Sequence, residues 1–94
     1  MTSKDRAYLR GIANSMDAIF QVGKAGITDN LVKQIDDALE ARELIKITVL
    51  ETAPEFANET SEKLAQSTNS TVVQVVGKKI TLYRKNEKES KYNI

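Results

Sequence analysis

Apolar residues recur at Leu9, Ile12, Ala13 and Met16, the i, i+3, i+4, i+7 spacing of one buried helical face. They predict a first helix from about Lys4 to Ala13 or slightly beyond, with Ser3 placed to cap it. Gly11 inside this helix costs roughly 1 kcal/mol relative to alanine, which implies close packing or an early helix end. The apolar run Ala18 to Val22 reads as a short strand. A second stripe, Leu31, Val32, Ile35, Ala38 and Leu39, predicts a second helix with Thr28 at its N-cap. From Leu44 to Leu50 the pattern alternates, with Ile45, Ile47 and Val49 on one side and Lys46 and Thr48 on the other, as in a half-exposed strand. Thr52 and Glu55 have capping-box spacing, and Pro54 suits a first helical turn that needs no N–H. A third helix is expected from there to Ser67, burying Phe56, Ala57, Leu64 and Ala65.

The last apolar stretch, Thr71 to Arg84, divides at Gly77-Lys78 into two alternating halves, the pattern of a hairpin with a two-residue loop. In that register Val75 faces Ile80 and Val73 faces Leu82 on an apolar side, while Gln74 faces Thr81 and Val76 faces Lys79 on a mixed side. A slip of one residue would scramble this sorting. Residues 85–94 read as a charged, flexible tail, which leaves residues 1–84 as the folded domain. The element order is α-β-α-β-α-β-β. Helical crossovers are right-handed and join parallel strands, so the expected fold is a single α/β domain with a mixed four-stranded sheet and packed helices.

Composition narrows the chemistry. The chain of 94 residues, 40% of them apolar, has enough material for one core. It contains no cysteine and no histidine, which excludes disulfides, thiolate metal sites and the commonest acid-base catalyst, and suits a reducing, cytoplasmic setting. Neither a metal nor a cofactor is expected. No apolar run approaches the ~18 residues of a membrane span, and "MTSKDRAYLR" lacks an apolar signal core, so no membrane partner is expected. A hydrolase would need a serine-lysine pair or paired carboxylates, yet Asp36 and Asp37 are adjacent on a helix and point in different directions. Gly77-Lys78-Lys79 is no phosphate loop either, because Val72 stands where that motif needs its first glycine.

The net charge of +1 conceals an uneven layout. Residues 1–28 carry Lys4, Arg6, Arg10 and Lys24 against two acids, residues 29–63 carry nine acids against four bases, and residues 64–94 carry six bases against two acids. If the fold joins the two ends, they form a basic patch on a nearly neutral protein. Arg6 and Arg10, four apart on one helix face, repel unless something compensates, and a bound phosphate would do so. Tyr83 on the mixed hairpin face could stack on a base or simply cover a sheet edge.

"VGKAGIT", residues 22–28, places two glycines three apart between a strand and a helix. One reading is a tight turn whose glycines supply positive φ values and whose lysine is merely solvated. The other is an anion site, where the glycines admit a nucleic-acid backbone, free N–H groups face a phosphate and Lys24 adds charge. Asp29 in the first turn of the next helix opposes the second reading.

Taken together, "LRGIA" in the first helix, "VGKAGIT", "ALEARELIKI" and "VVQVVGKKITLYR" make the chain resemble the CRM domain, the chloroplast RNA splicing and ribosome maturation family, in its bacterial stand-alone YhbY-like form. The resemblance covers residues 4 to about 84 and implies the fold of the C-terminal domain of translation initiation factor three. It implies a non-catalytic RNA-binding protein, with ribosomal RNA or large-subunit precursors as partner. It further implies that Gly23, Lys24, Ala25 and Gly26 form an RNA-contacting GxxG loop, supported by the basic positions Arg10, Lys46, Lys78 and Arg84. The alternative is a protein-interaction module whose open sheet face or acidic helices dock a ribosomal protein or assembly factor.

Overall fold

The computed structural model describes residues 1–94. Three helices, α1 (Ser3–Ala13), α2 (Asp29–Arg42) and α3 (Ala57–Thr68), surround four strands, β1 (Phe20–Val22), β2 (Leu44–Val49), β3 (Thr71–Val76) and β4 (Lys79–Tyr83). The sheet order is β1-β2-β4-β3. β1 runs parallel to β2 through the α2 crossover, and β4 lies antiparallel to both β2 and β3, giving the mixed sheet and element order expected from the sequence.

The alternation along β2 divides the core. Ile45, Ile47 and Val49 join Val22, Ile80 and Leu82 beneath Ile35 and Leu39 of α2 and Ala57 and Leu64 of α3. The opposite parity, Leu44 with Val73 and Tyr83, packs against Leu9 and Ala13 of α1. The sheet is therefore sandwiched, with α2 and α3 on one face and α1 on the other. Each aliphatic side chain removed from water in these clusters contributes about 1.5–3 kcal/mol.

Helix α2 starts as expected, with the Thr28 hydroxyl accepting from the Leu31 amide. Four local expectations are corrected. Thr2, not Ser3, caps α1, its hydroxyl accepting from the Asp5 amide. Gly11 has open space where a Cβ would stand and the helix continues past it, so neither close packing nor an early end explains it. The Thr52/Glu55 capping box does not form: α3 begins at Ala57, its N-cap is Phe56 with no capping hydrogen bond, and Glu55 pairs instead with Lys63 at 2.5 Å. Phe56, expected in the core, is 83% exposed.

The hairpin keeps the predicted pairs Gln74 with Thr81, Val75 with Ile80 and Val76 with Lys79, and then shifts: Leu82 pairs with Val72, not Val73. The extra residue makes a β-bulge, which resets the side-chain parity of the strand. As a result Val72 and Val75, three apart, both reach the α2/α3 core, while Val73 reaches the α1 layer. Arg6 of α1 donates from one nitrogen to the carbonyls of Val72 and Val73, at 2.5 and 2.8 Å, where the ladder is disrupted. Those carbonyls give the Arg6 guanidinium acceptors within the protein, beside Arg10.

Beyond β4 the chain folds back on the domain. The amide of Lys91 and the hydroxyl of Ser90 donate to the buried carboxylate of Glu43, and Tyr92 meets Tyr83 edge to face at 6.2 Å. The charged composition of residues 85–94 suggested a free tail; Tyr92 and Ile94 instead supply apolar cover to the α1 layer.

Candidate nucleic-acid interface

Parallel and antiparallel pairing places three turns at one end of the sheet. β1 ends in the glycine loop, β2 exits through Leu50, and the β3–β4 turn is tied to β2 by the Val49 amide donating to the Lys78 carbonyl at 2.7 Å. The glycine loop is thus flanked by the exit of β2 and the approach to α3. Ala25, Gly26 and Ile27 share a shallow cleft of about 450 Å³ with Pro54, Glu55 and Lys63.

The two glycines do different work. Gly26 has φ +69°, and a Cβ there would stand 2.9 Å from the Pro54 ring, so both backbone conformation and space demand glycine. A Cβ on Gly23 would meet Leu50 at an ordinary 3.7 Å. Inside the loop the Gly26 amide closes a turn onto the Gly23 carbonyl at 2.9 Å, and the amides of Lys24 and Ala25 have no acceptor within the protein. Both residues are exposed. The turn-forming reading is met by the Gly26 amide, and the amides of Lys24 and Ala25 stay unpartnered within the protein. Asp29 is exposed in the first turn of α2, beyond the Thr28 cap.

The basic residues proposed around the loop do not all arrive there. Lys78 lies in the neighbouring turn and pairs at 2.5 Å with Glu51, holding that carboxyl below its ordinary range. Both side chains are more than half exposed, and water screens such a surface pair until it contributes little. Arg10 is exposed on α1, one turn beyond Arg6. Lys46 is spent structurally, its ammonium donating to the carbonyls of Ala13 and Met16 at 2.8 and 3.3 Å, beside the C-terminal end of α1. Arg84 follows Tyr83, which pairs with the first residue of β2, so it stands at the opposite end of the sheet from the loop. There it bonds the Asp36 carboxylate and the Thr68 carbonyl, with its side chain 19% exposed. The family resemblance and the basic chain ends grouped Arg84 with Lys24; strand direction separates them. Tyr83 is buried, its ring in the α1 layer, and covers core without offering a stacking face.

The structure adds a feature that apolar patterning hid. Phe56 stands in solvent at the start of α3, on the wall of a cleft that also includes Leu50, Pro54 and Lys78. A pattern reading assigns any aromatic near a helix start to the core, and no sequence signal marked this one as exposed.

The CRS1 / YhbY (CRM) domain family profile matches residues 1–84. The chain is 47% identical over 93 residues to the probable RNA-binding protein YqeI of Bacillus subtilis, covering 99% of this chain and 93% of that one. It is 37% identical to a probable RNA-binding protein of Methanocaldococcus jannaschii, over 98% of this chain and 69% of that protein. A protein of Haemophilus influenzae named RNA-binding protein is 28% identical over 93% of this chain and 88% of its own length. Among solved structures, the solution structure of the hypothetical protein SAV1595 from Staphylococcus aureus, described as a candidate RNA-binding protein, superposes with a TM-score of 0.78 at 48% identity, covering 100% of this chain and 94% of that one.

Proposed function

On the premise that this chain belongs to the CRS1 / YhbY (CRM) domain family, we propose that it is an RNA-binding protein that grips the sugar-phosphate backbone at the glycine loop. The observation that carries this reading is the pair of unpartnered amides at the exposed residues Lys24 and Ala25, in a turn that the Gly26 amide closes. Two N–H groups and an ammonium facing the same solvent make a receptor for a phosphate oxygen. Lys78 in the adjacent turn supplies a second cation, whereas Arg10 is exposed on α1, which packs on Leu44, Val73 and Tyr83 toward the other end of the sheet. Lys46 and Arg84 fall outside this set because their donors are already engaged with the protein.

No base-reading constellation surrounds the loop, so backbone and shape recognition dominate. The resemblance to the family extends the proposal to ribosomal RNA or large-subunit precursor particles, encountered in the cytoplasm, with no chemical step performed by the protein. The test is a salt titration. Log affinity for single-stranded RNA falls linearly with log salt at a slope near −0.7 per neutralised phosphate, and Lys24→Glu lowers affinity for every sequence alike while making the slope shallower. Tight association that ignores salt, with a protein and not with RNA, would replace this reading with a protein-docking one.

A further inference from the structure

Phe56 is 83% exposed, the most exposed of the large apolar side chains. Nothing in the fold requires it there: a polar N-cap such as Ser or Asp would stabilise α3, and this helix has no capping side chain at all. The position therefore carries two local costs at once, and both fall beside a cleft of about 440 Å³ lined by Leu50, Pro54, Phe56, Asn58 and Lys78. Leu50 and Pro54 are also the residues that a Cβ on Gly23 or Gly26 would touch, so one wall of the cleft is the support of the glycine loop.

We propose that this cleft receives a nucleobase, from an unpaired RNA nucleotide whose phosphates lie on the glycine loop and Lys78, and that the base stacks on Phe56. This deepens the RNA-binding reading and rests on it. The charge of the cleft selects the base over the phosphate. The cleft is lined by two acids, Glu51 and Glu55, and one cation, Lys78, so its net charge disfavours a phosphate inside it while its apolar wall accepts a neutral ring. The apolar surface of Leu50, Pro54 and Phe56 matches a π-face, and the Asn58 amide can meet a base edge. Stacking of this kind tolerates any base, in keeping with backbone-dominated binding.

The chain contains no tryptophan, so Phe56→Trp creates a single fluorescent reporter. The experiment uses the full chain with a ten-nucleotide oligo(U), a ten-nucleotide oligo(A) and an abasic strand of equal length. Phe56→Ala, at an exposed position, is expected to melt with the wild type, to bind both oligonucleotides at least about fivefold more weakly, and to bind the abasic strand unchanged. Phe56→Trp is expected to retain affinity and to lose emission when either oligonucleotide saturates it. Wild-type affinity in Phe56→Ala, or indole emission of the Phe56→Trp protein untouched by saturating RNA, overturns the stacking site while leaving the loop proposal intact. So does an equal loss on the abasic strand, or a protein partner lost on Phe56→Ala with RNA affinity unaltered. Absence of any RNA binding by the wild type overturns both.

Discussion

Arg84, just past β4, donates from one nitrogen to the Asp36 carboxylate on α2 at 2.5 Å and to the Thr68 carbonyl at the end of α3 at 2.7 Å. A second nitrogen donates to the Asp36 carbonyl at 3.0 Å. One guanidinium thus ties two helices to the sheet, which is the work of a planar multi-donor group and beyond a lysine.

Arg84→Gln should consequently act on stability and leave recognition alone. Removing these charged hydrogen bonds costs about 1–3 kcal/mol, seen as a lower denaturation midpoint. RNA affinity of the folded fraction should stay within about twofold of wild type at fixed salt, well short of the tenfold that a lost charged contact of about 1.4 kcal/mol would cause. A tenfold loss of affinity with unchanged stability would return Arg84 to the RNA surface.

The two loop glycines separate folding from binding. Gly26→Ala must hold an L residue at φ +69° against the Pro54 ring, so it should lose about 1–2 kcal/mol or more and displace the loop. Gly23→Ala meets only ordinary contacts and should melt within about 0.5 kcal/mol of wild type. Its effect on RNA affinity then reports how closely the backbone of the ligand approaches the loop, free of any stability loss. An unchanged affinity for Gly23→Ala would place the RNA backbone farther out, beyond a methyl group.

Glu43 gives the molecule an acid-sensitive clasp. It sits between α2 and β2 with φ +65°, an uncommon conformation for a side-chain-bearing residue, and its carboxylate receives the Ser90 hydroxyl at 2.9 Å and the Lys91 amide. Burial alone would raise its pKa, but the donors from Lys91, Ser90, Asn86 and Tyr83 outweigh burial and hold it below the ordinary glutamate value. A depressed folded-state pKa means the contribution is present above the unfolded value of about 4.3 and disappears as pH falls through the lower folded value. Stability measured from about pH 6 to pH 3 should therefore drop more steeply in wild type than in Glu43→Gln, which already lacks the charge. Glu43→Gln should also cost about 1–3 kcal/mol near neutrality and speed hydrogen exchange at the Lys91 amide. Parallel pH curves for the two proteins would show that the clasp contributes nothing. Burial above all, with the Glu43 charge adding to it, pushes the hydroxyls of Tyr83 and Tyr92 upward, so both remain protonated across this range.

The sequence by itself determined the elements, their order and the sheet class, because these follow from local periodicity and short-range rules: the stripe of α2, the Thr28 cap, the alternation of β2 and the glycine turn of the hairpin are all intra-segment signals. It also marked the glycine loop, since Gly26 needs a conformation that few other residues adopt. Only the tertiary structure decided which cations stand beside that loop. Charge along a chain carries no direction, and the antiparallel return of β4 sends Arg84 to the far end while Arg6 and Lys46 turn inward onto carbonyls. It likewise decided that Phe56 stays in water and that the charged C-terminal segment closes over Glu43, because burial and a carboxylate's choice of donors depend on neighbours distant in sequence.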